Sequence, residues 1–298
     1  MNLDHGNLRA LAAVVREGSF ERAAAVLNVT PSAVSQRIKL LEGRMGRLLV
    51  QRTVPTAATP DGQILVHLAE QAALLEHDAL SRLGFDEDIP QASIAIAVNH
   101  DSLETWFMQA AALFSARTNA TLDLQSEDQD HTAALLRNGT VLGAVTTLGE
   151  PVQGCHVHRL GSMRYVATCS PAFHERYFAK GVSARTLAEA PVLVFNRKDA
   201  MQARFALKVM GDQPWRPPVW WIPSSRAFVR ATLDGMGWTM NPLPMVEQEL
   251  NDGLLVPLRA RAWEDVPLYW QHWRINSQAM NVLNQSVLEA SKSLIHKR

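Results

Sequence analysis

Apolar residues recur at helical spacing through the first eighty positions of the chain and then give way to short alternating runs. Leu8, Leu11 and Val15 define one helix that ends at Gly18. Ser19 is placed to cap a second helix, with Phe20, Ala23, Ala24 and Leu27 turned inward and Asn28-Val29 making a turn. Thr30-Pro31 is a strong start signal, because a hydroxyl caps free amides and proline sits where its missing N–H costs nothing. In the third helix Val34, Ile38, Leu41 and Met45 repeat at intervals of four, three and four, which predicts a buried stripe. Leu48 to Thr59 reads as a short hairpin, and Thr59-Pro60 repeats the capped start. Leu65, Leu68, Ala72, Leu75 and Ala79 then recur at three, four, three and four, a heptad seam with little else apolar beside it. That helix, of about 25 residues and roughly 36 Å, has the pattern of a dimerising element.

Beyond the acidic break Gly84 to Pro90 the pattern alternates strand and helix. Strands are predicted at 93–98, 122–125, 142–146, 163–169, 191–195 and 268–273, with helices at 102–116, 132–137 and 278–295. The expected fold class is therefore α/β multidomain, with open sheets that bind ligands at strand C-terminal ends. The tryptophans Trp215, Trp220, Trp221 and Trp238 read as core or interface.

Length adds that 298 residues exceed one ordinary core. Formal net charge is zero, yet from Thr30 to Arg52 the cations Arg37, Lys39, Arg44, Arg47 and Arg52 face the single anion Glu42. This local excess suits contact with phosphate. Ser32, Ser35, Gln36 and Lys39 share the polar face of the third helix and are short or hydrogen-bonding, as reading of base edges requires. Arg37 flanks that face, and Arg52 projects from the hairpin toward the backbone. The charged N-terminus predicts no signal peptide, and no run is long enough to span a bilayer, so a cytoplasmic protein is expected. Cys155 and Cys169 read as free buried thiols.

The combination Gly18-Ser19-Phe20, Ala23-Ala24, Leu27, Ser32-Ala33-Val34-Ser35, Ile38, Leu41-Glu42, Gly46 and Arg52 resembles the LysR-type transcriptional regulators. Leu48-Leu49-Val50-Gln51-Arg52 is similar to the ArgP/LysG subgroup, as are Leu142-Gly143-Ala144-Val145-Thr146, Pro223-Ser224-Ser225 and Val266-Pro267-Leu268-Tyr269-Trp270. The resemblance implies a winged helix-turn-helix head over 1–59, a dimerising linker helix over 60–84 and a hinge over 85–90. It further implies a two-lobed effector domain like a periplasmic binding protein, with lobe I over 91–161 and 268–298 and lobe II over 162–267. The implied partners are double-stranded operator DNA, RNA polymerase, a lysine or arginine effector, and further copies forming a dimer or tetramer. No cofactor, metal or membrane is implied.

Residues suited to an amino-acid effector are Asn99, Asp101 and Ser102 after the first lobe strand, Asp128 after the second, and Thr146-Thr147 after the third. Asp199, Ser224 and Ser225 come from the second lobe, and helix capping is the competing role for Asp101 or Ser102. Arg226 leaves open a carboxylate-bearing effector, because a cation facing the ligand would repel a basic side chain. Against an enzyme, the chain has no phosphate loop, no His/Cys metal motif and no nucleophile motif. An exported solute-binding protein and a general chromosome-architecture protein fit the head and its sequence-reading face less well.

Overall fold

A computed structural model describes residues 3–85, 92–127, 132–137, 139–211 and 214–294. Its contacts divide the chain into two units, the first made of 1–99, 109–158 and 269–290, the second of 100–108, 159–268 and 291–298. The first unit opens with α1 (His5–Glu17), α2 (Phe20–Val26) and α3 (Pro31–Met45). Five of the six ends of these helices carry a side-chain or glycine cap. Asp4, Ser19 and Thr30 accept hydrogen bonds from the first-turn amides, while Gly18 and Gly46 take φ of 63° and 64° at the C-termini. Leu8, Leu11, Val14, Ala23, Ala24, Val34, Ile38 and Leu41 form the buried core of this trihelical head.

The wing consists of β1 (Val50–Gln51) and β2 (Ala57–Ala58), antiparallel with Val50 opposite Ala58. Glu42 of α3 accepts hydrogen bonds from the amides of Leu49 and Val50 at 2.9 and 3.4 Å. The linker helix α4 (Pro60–Arg82) starts from Thr59, whose hydroxyl donates to the Leu48 carbonyl at 2.8 Å and accepts from the Gly62 amide. A Cβ on Gly62 would stand 1.9 Å from the Leu49 carbonyl oxygen, so the first turn of α4 lies directly on the wing backbone.

Helix α4 has two working faces. Val66, Ala69, Leu74 and Asp78 are buried within the first unit, which corrects the expectation that little apolar surface lies beside the seam. Of the seam residues, Leu68, Leu75 and Ala79 are exposed and Ala72 is half-buried, whereas Leu65 packs partly against the head core. The Asp78 carboxylate accepts from the Gln278 amide at 2.6 Å.

In the same unit β3 (Ser93–Asn99) lies parallel to both β4 (Thr121–Glu127) and β5 (Gly143–Thr146). Between β3 and β4 the chain forms α5 (His100–Ser102), a π turn over Leu103–Phe107 and α6 (Met108–Ser115). The sequence predicts one regular helix there; the ladder is interrupted where Thr105 donates its hydroxyl to the Asp101 carbonyl at 2.6 Å. Helix α7 (Thr132–Arg137) precedes β5.

Strand β6 (Cys155–Cys169) begins in the first unit and ends in the second, starting eight residues before the predicted 163 because His156, His158 and Arg159 break the apolar pattern without breaking the strand. The second unit continues with α8 (Pro171–Phe178), α9 (Ala184–Glu189), β7 (Val192–Val194), α10 (Met201–Met210) and β8 (Val219–Trp221). After them come α11 (Ser225–Leu233), β9 (Thr239–Pro242), α12 (Leu243–Asn251), β10 (Val256–Pro257) and β11 (Trp263–Trp273). β6 pairs antiparallel with β9 and β10, and β7 pairs parallel with β8. The end of β11 returns to the first unit beside β5, followed by α13 (Gln278–Ala290). Trp238 is fully buried, whereas Trp220 and Trp221 are exposed on β8. Both cysteines are free and buried, and burial pushes the Cys155 thiol up to about 11 and that of Cys169 to about 12.

Gly62→Ala is expected to destabilise the protein by roughly 1–3 kcal/mol, because the group met is backbone and cannot turn aside. Gly43→Ala, in open space on α3, should instead stabilise by about 0.5–1 kcal/mol. Denaturant unfolding of the two variants checks this, and equal shifts would contradict the close approach.

Candidate nucleic-acid interface and buried carboxylate cluster

The third helix presents its polar face to solvent. Ser32, Gln36 and Lys39 are exposed, and Ser35 and Arg37 are half-buried. Val34, Ile38 and Leu41, on the opposite side, are buried and fix the helix rotation. Ser32 shares a hydrogen bond with the Thr30 capping hydroxyl at 2.9 Å. The side chains of Gln36, Arg37 and Lys39 make no hydrogen bond or ion pair among the described residues, so they are available to an outside partner. Arg52 leaves the wing with its guanidinium 5.5 Å from the Phe20 ring centroid, a stacked placement that restricts a long side chain. Arg47 is engaged with Asp61 at 2.8 Å. The face therefore offers hydrogen-bonding groups on a helix flanked by cations, on a scaffold whose core holds it rigidly.

The second unit contains a half-buried carboxylate cluster around Asp101. Its Oδ2 accepts from the Tyr165 hydroxyl at 2.7 Å and its Oδ1 from the Ser225 hydroxyl at 3.2 Å. Burial raises the Asp101 pKa, the two hydroxyl bonds oppose the rise, and the negative charge of Asp199 adds to it. Burial also lifts the Tyr165 phenol well above its ordinary value, with the Asp101 charge as the second cause. Asp101 is thus not spent on capping a helix, the competing role considered from the sequence. Tyr165 is the residue that sequence reasoning missed, since nothing local separates its phenol from the apolar positions of β6.

Asp199 is near enough to affect Asp101, yet its own carboxylate accepts from the Phe195 and Met201 amides at 3.1 and 2.9 Å and braces the loop. Ser224 does not join the cluster; it caps α11 by accepting from the Ala227 amide. Ser102 keeps a buried hydroxyl with no hydrogen-bond partner. Asn99, Thr146 and Thr147 belong to the first unit, where Asn99 Oδ1 is buried without a partner and Thr146 accepts from the Leu148 amide at 3.1 Å. Asp128 lies outside the described residues. Arg226 donates to Glu104 at 3.1 Å, so the cation that the sequence set against a basic ligand already has an anionic partner. Among the described residues no group of three His, Cys, Asp or Glu side chains could hold a metal, and no helix is long and apolar enough to cross a membrane.

The raised Asp101 pKa has a defined sign in stability. A carboxyl raised in the fold contributes stability that is complete below its unfolded value, near 3.9, and is lost as pH rises through the folded value. Asp101→Asn, which cannot ionise, is expected to melt above the parent protein at pH 8, by roughly 2–4 °C for each kcal/mol relieved. That advantage should shrink as pH falls toward 4. Scanning fluorimetry across this range tests it, and a difference independent of pH would refute the assignment.

Comparison with known proteins identifies the family of the chain. Residues 5–63 match the bacterial regulatory helix-turn-helix protein, lysR family, and residues 87–292 match the LysR substrate binding domain. The HTH-type transcriptional regulator LysG of Mycobacterium tuberculosis strain H37Rv is 44% identical over 292 residues, covering 98% of this chain and 95% of that protein. The crystal structure of ArgP from Mycobacterium tuberculosis matches with a TM-score of 0.86 at 42% identity, covering 100% of both chains. Full-length LysG from Corynebacterium glutamicum with bound effector Arg matches with a TM-score of 0.76 at 37% identity, covering 99% of this chain and 100% of that one. The chain belongs to the LysR family of bacterial transcriptional regulators, alongside LysG and ArgP.

Proposed function

We propose that this regulator senses a basic amino acid, lysine or arginine, and controls genes for amino-acid export or metabolism. The observation that carries the reading is the buried Asp101 carboxylate, braced by Tyr165 and Ser225, together with the engagement of Arg226 by Glu104. A desolvated carboxylate is relieved by a cationic partner, whereas the Arg226 side chain is 85% exposed and paired at the surface, where its charge is screened by water. Asp101 and Asp199 receive the ligand's positive charge, and the hydroxyls of Ser102 and Ser225 hydrogen-bond to it. The Arg-bound Corynebacterium glutamicum relative supports this choice of ligand class.

In the first unit Ser32, Ser35, Gln36 and Lys39 read base edges in the major groove, while Arg37 and Arg52 grip phosphate. The exposed Leu68 and Leu75 with Ala72 and Ala79 pair α4 with a second copy, giving two heads for a two-fold site. Leu65 stands at the border of that seam, shared with the head core. In this reading the head spans 1–59, the linker 60–84, and the two lobes follow the division given by the sequence. Pairs assemble into tetramers on chromosomal DNA in the cytoplasm, and activation proceeds through contact with RNA polymerase. The effector acts only through different affinities for the inactive and active arrangements.

One binding titration over a salt series separates these roles. Arg52→Ala should weaken binding to operator and random DNA alike and lower the salt slope by about 1. Gln36→Ala should cost about 1–3 kcal/mol on operator alone. Leu68→Glu combined with Leu75→Glu should sediment as a monomer and bind as a single head. Equal losses on both DNAs from Arg52→Ala and Gln36→Ala would overturn the division of labour.

Ligand identity is checked by thermal shift. Lysine or arginine at a hundred times its Kd should stabilise the protein by about 2.7 kcal/mol, glutamate should not, and Asp101→Asn should abolish the response. Stabilisation by glutamate alone would sink the basic-ligand reading.

A further inference from the structure

Within the first unit lies a cavity of about 680 Å³, walled by α1 of the head, α4 and the strands β3 and β4. Its volume falls inside the range of small-molecule sites, roughly 300–1,000 Å³. The α4 wall is the stripe Gln63, Val66, Glu70, Ala73, His77 and Leu80, recurring at three, four, three, four and three. At about 100° per residue this stripe is centred roughly 150° around the helix from the seam of Leu65, Leu68, Ala72, Leu75 and Ala79. A second copy seated on the seam therefore leaves the cavity open.

The lining mixes apolar side chains with polar and charged ones, and two polar atoms of its residues are orphaned. Glu70 Oε2 and His77 Nδ1 are buried without any hydrogen-bond partner. Buried polar groups in folded proteins are otherwise paired, so an unmet carboxyl oxygen on a residue that lines a cavity marks a place for an outside donor. Arg16 from α1 and Asp123 from β4 bear on Glu70 with opposite effects, the first lowering its pKa and the second raising it. Arg9 lines the same space, and Glu76 is occupied by His5 at 2.9 Å. Burial dominates and pushes the Glu70 carboxyl up to about 8, so at neutral pH it holds its proton.

We infer that this cavity binds a small organic cation, an amine or guanidinium on a short apolar stem, whose head pairs with Glu70 and Asp123 while its stem lies on Val66, Leu74 and Leu80. The site is separate from the Asp101 cluster of the second unit. Binding is a proton exchange: the protonated Glu70 carboxyl releases its proton to buffer, and the incoming cation takes its place as the partner of the carboxylate. An occupant touches the head, the linker helix and a lobe strand at once, so it would tie the DNA-reading end to the lobe it contacts.

The test uses the full-length protein with n-butylguanidinium and n-butylammonium as probes and n-butanol as the neutral control. Calorimetry at neutral pH in phosphate and in Tris should show close to one proton released per cation bound, and none at pH 9.5. Glu70→Gln, which keeps the shape, and Ala73→Phe, which fills the space from the α4 wall, should each weaken binding at least about ten-fold. Asp101→Asn should leave the Glu70-dependent binding and its proton release unchanged. The inference is overturned by absence of binding, by binding without proton release, by equal binding of n-butanol, or by survival in both cavity variants. Loss in Asp101→Asn would likewise overturn it, because the probes would then be occupying the other site.

Discussion

The reading head depends on one buried-edge contact, the Glu42 carboxylate accepting from the amides of Leu49 and Val50. Charge-assisted bonds of this kind contribute about 1.5–3 kcal/mol each, more than neutral ones. The contact fixes the wing against α3, so the hairpin that carries Arg52 and the polar face of α3 form one rigid surface. It also explains why an anion stands among five cations. Glu42 points inward to backbone donors and leaves the outward positive field intact.

The second unit uses the same economy of charge in a different way. Asp101 is kept from water by its surroundings and supported by two hydroxyls, a state that suits a cation arriving from outside. Glu104 meanwhile takes up Arg226, removing the nearest conflicting charge contributed by α11. Two carboxylates three residues apart on one short stretch thus differ: Asp101 is held by two hydroxyls, and Glu104 meets a largely exposed arginine.

What could be read from the chain follows the range of the interactions involved. Caps at Ser19, Thr30 and Thr59 and the glycine terminus at Gly18 are local, and each stands where the residue pattern puts it. The polar face of α3 was legible because the intervals of Val34, Ile38 and Leu41 fix which side is left outside. The Asp101 cluster was legible only in part, since Tyr165 and Ser225 are 64 and 124 residues away and no periodicity links them. The pairing of Arg226 was hidden for the same reason, its partner Glu104 lying 122 residues upstream. On α4 the seam was visible as a heptad, but the second stripe was hidden because it mixes Val66 and Leu74 with Glu70 and His77, which no apolar count detects.

The absent side chain at Gly62 carries a mechanical consequence. Because the first turn of α4 rests on the Leu49 carbonyl with no cushion of methyl groups between, the joint has almost no play. Any swivel of the long helix about its axis must be delivered to the wing undiminished, much as a crankshaft drives whatever is keyed to it. Torque from the linker is therefore delivered at Leu49, at the threshold of β1.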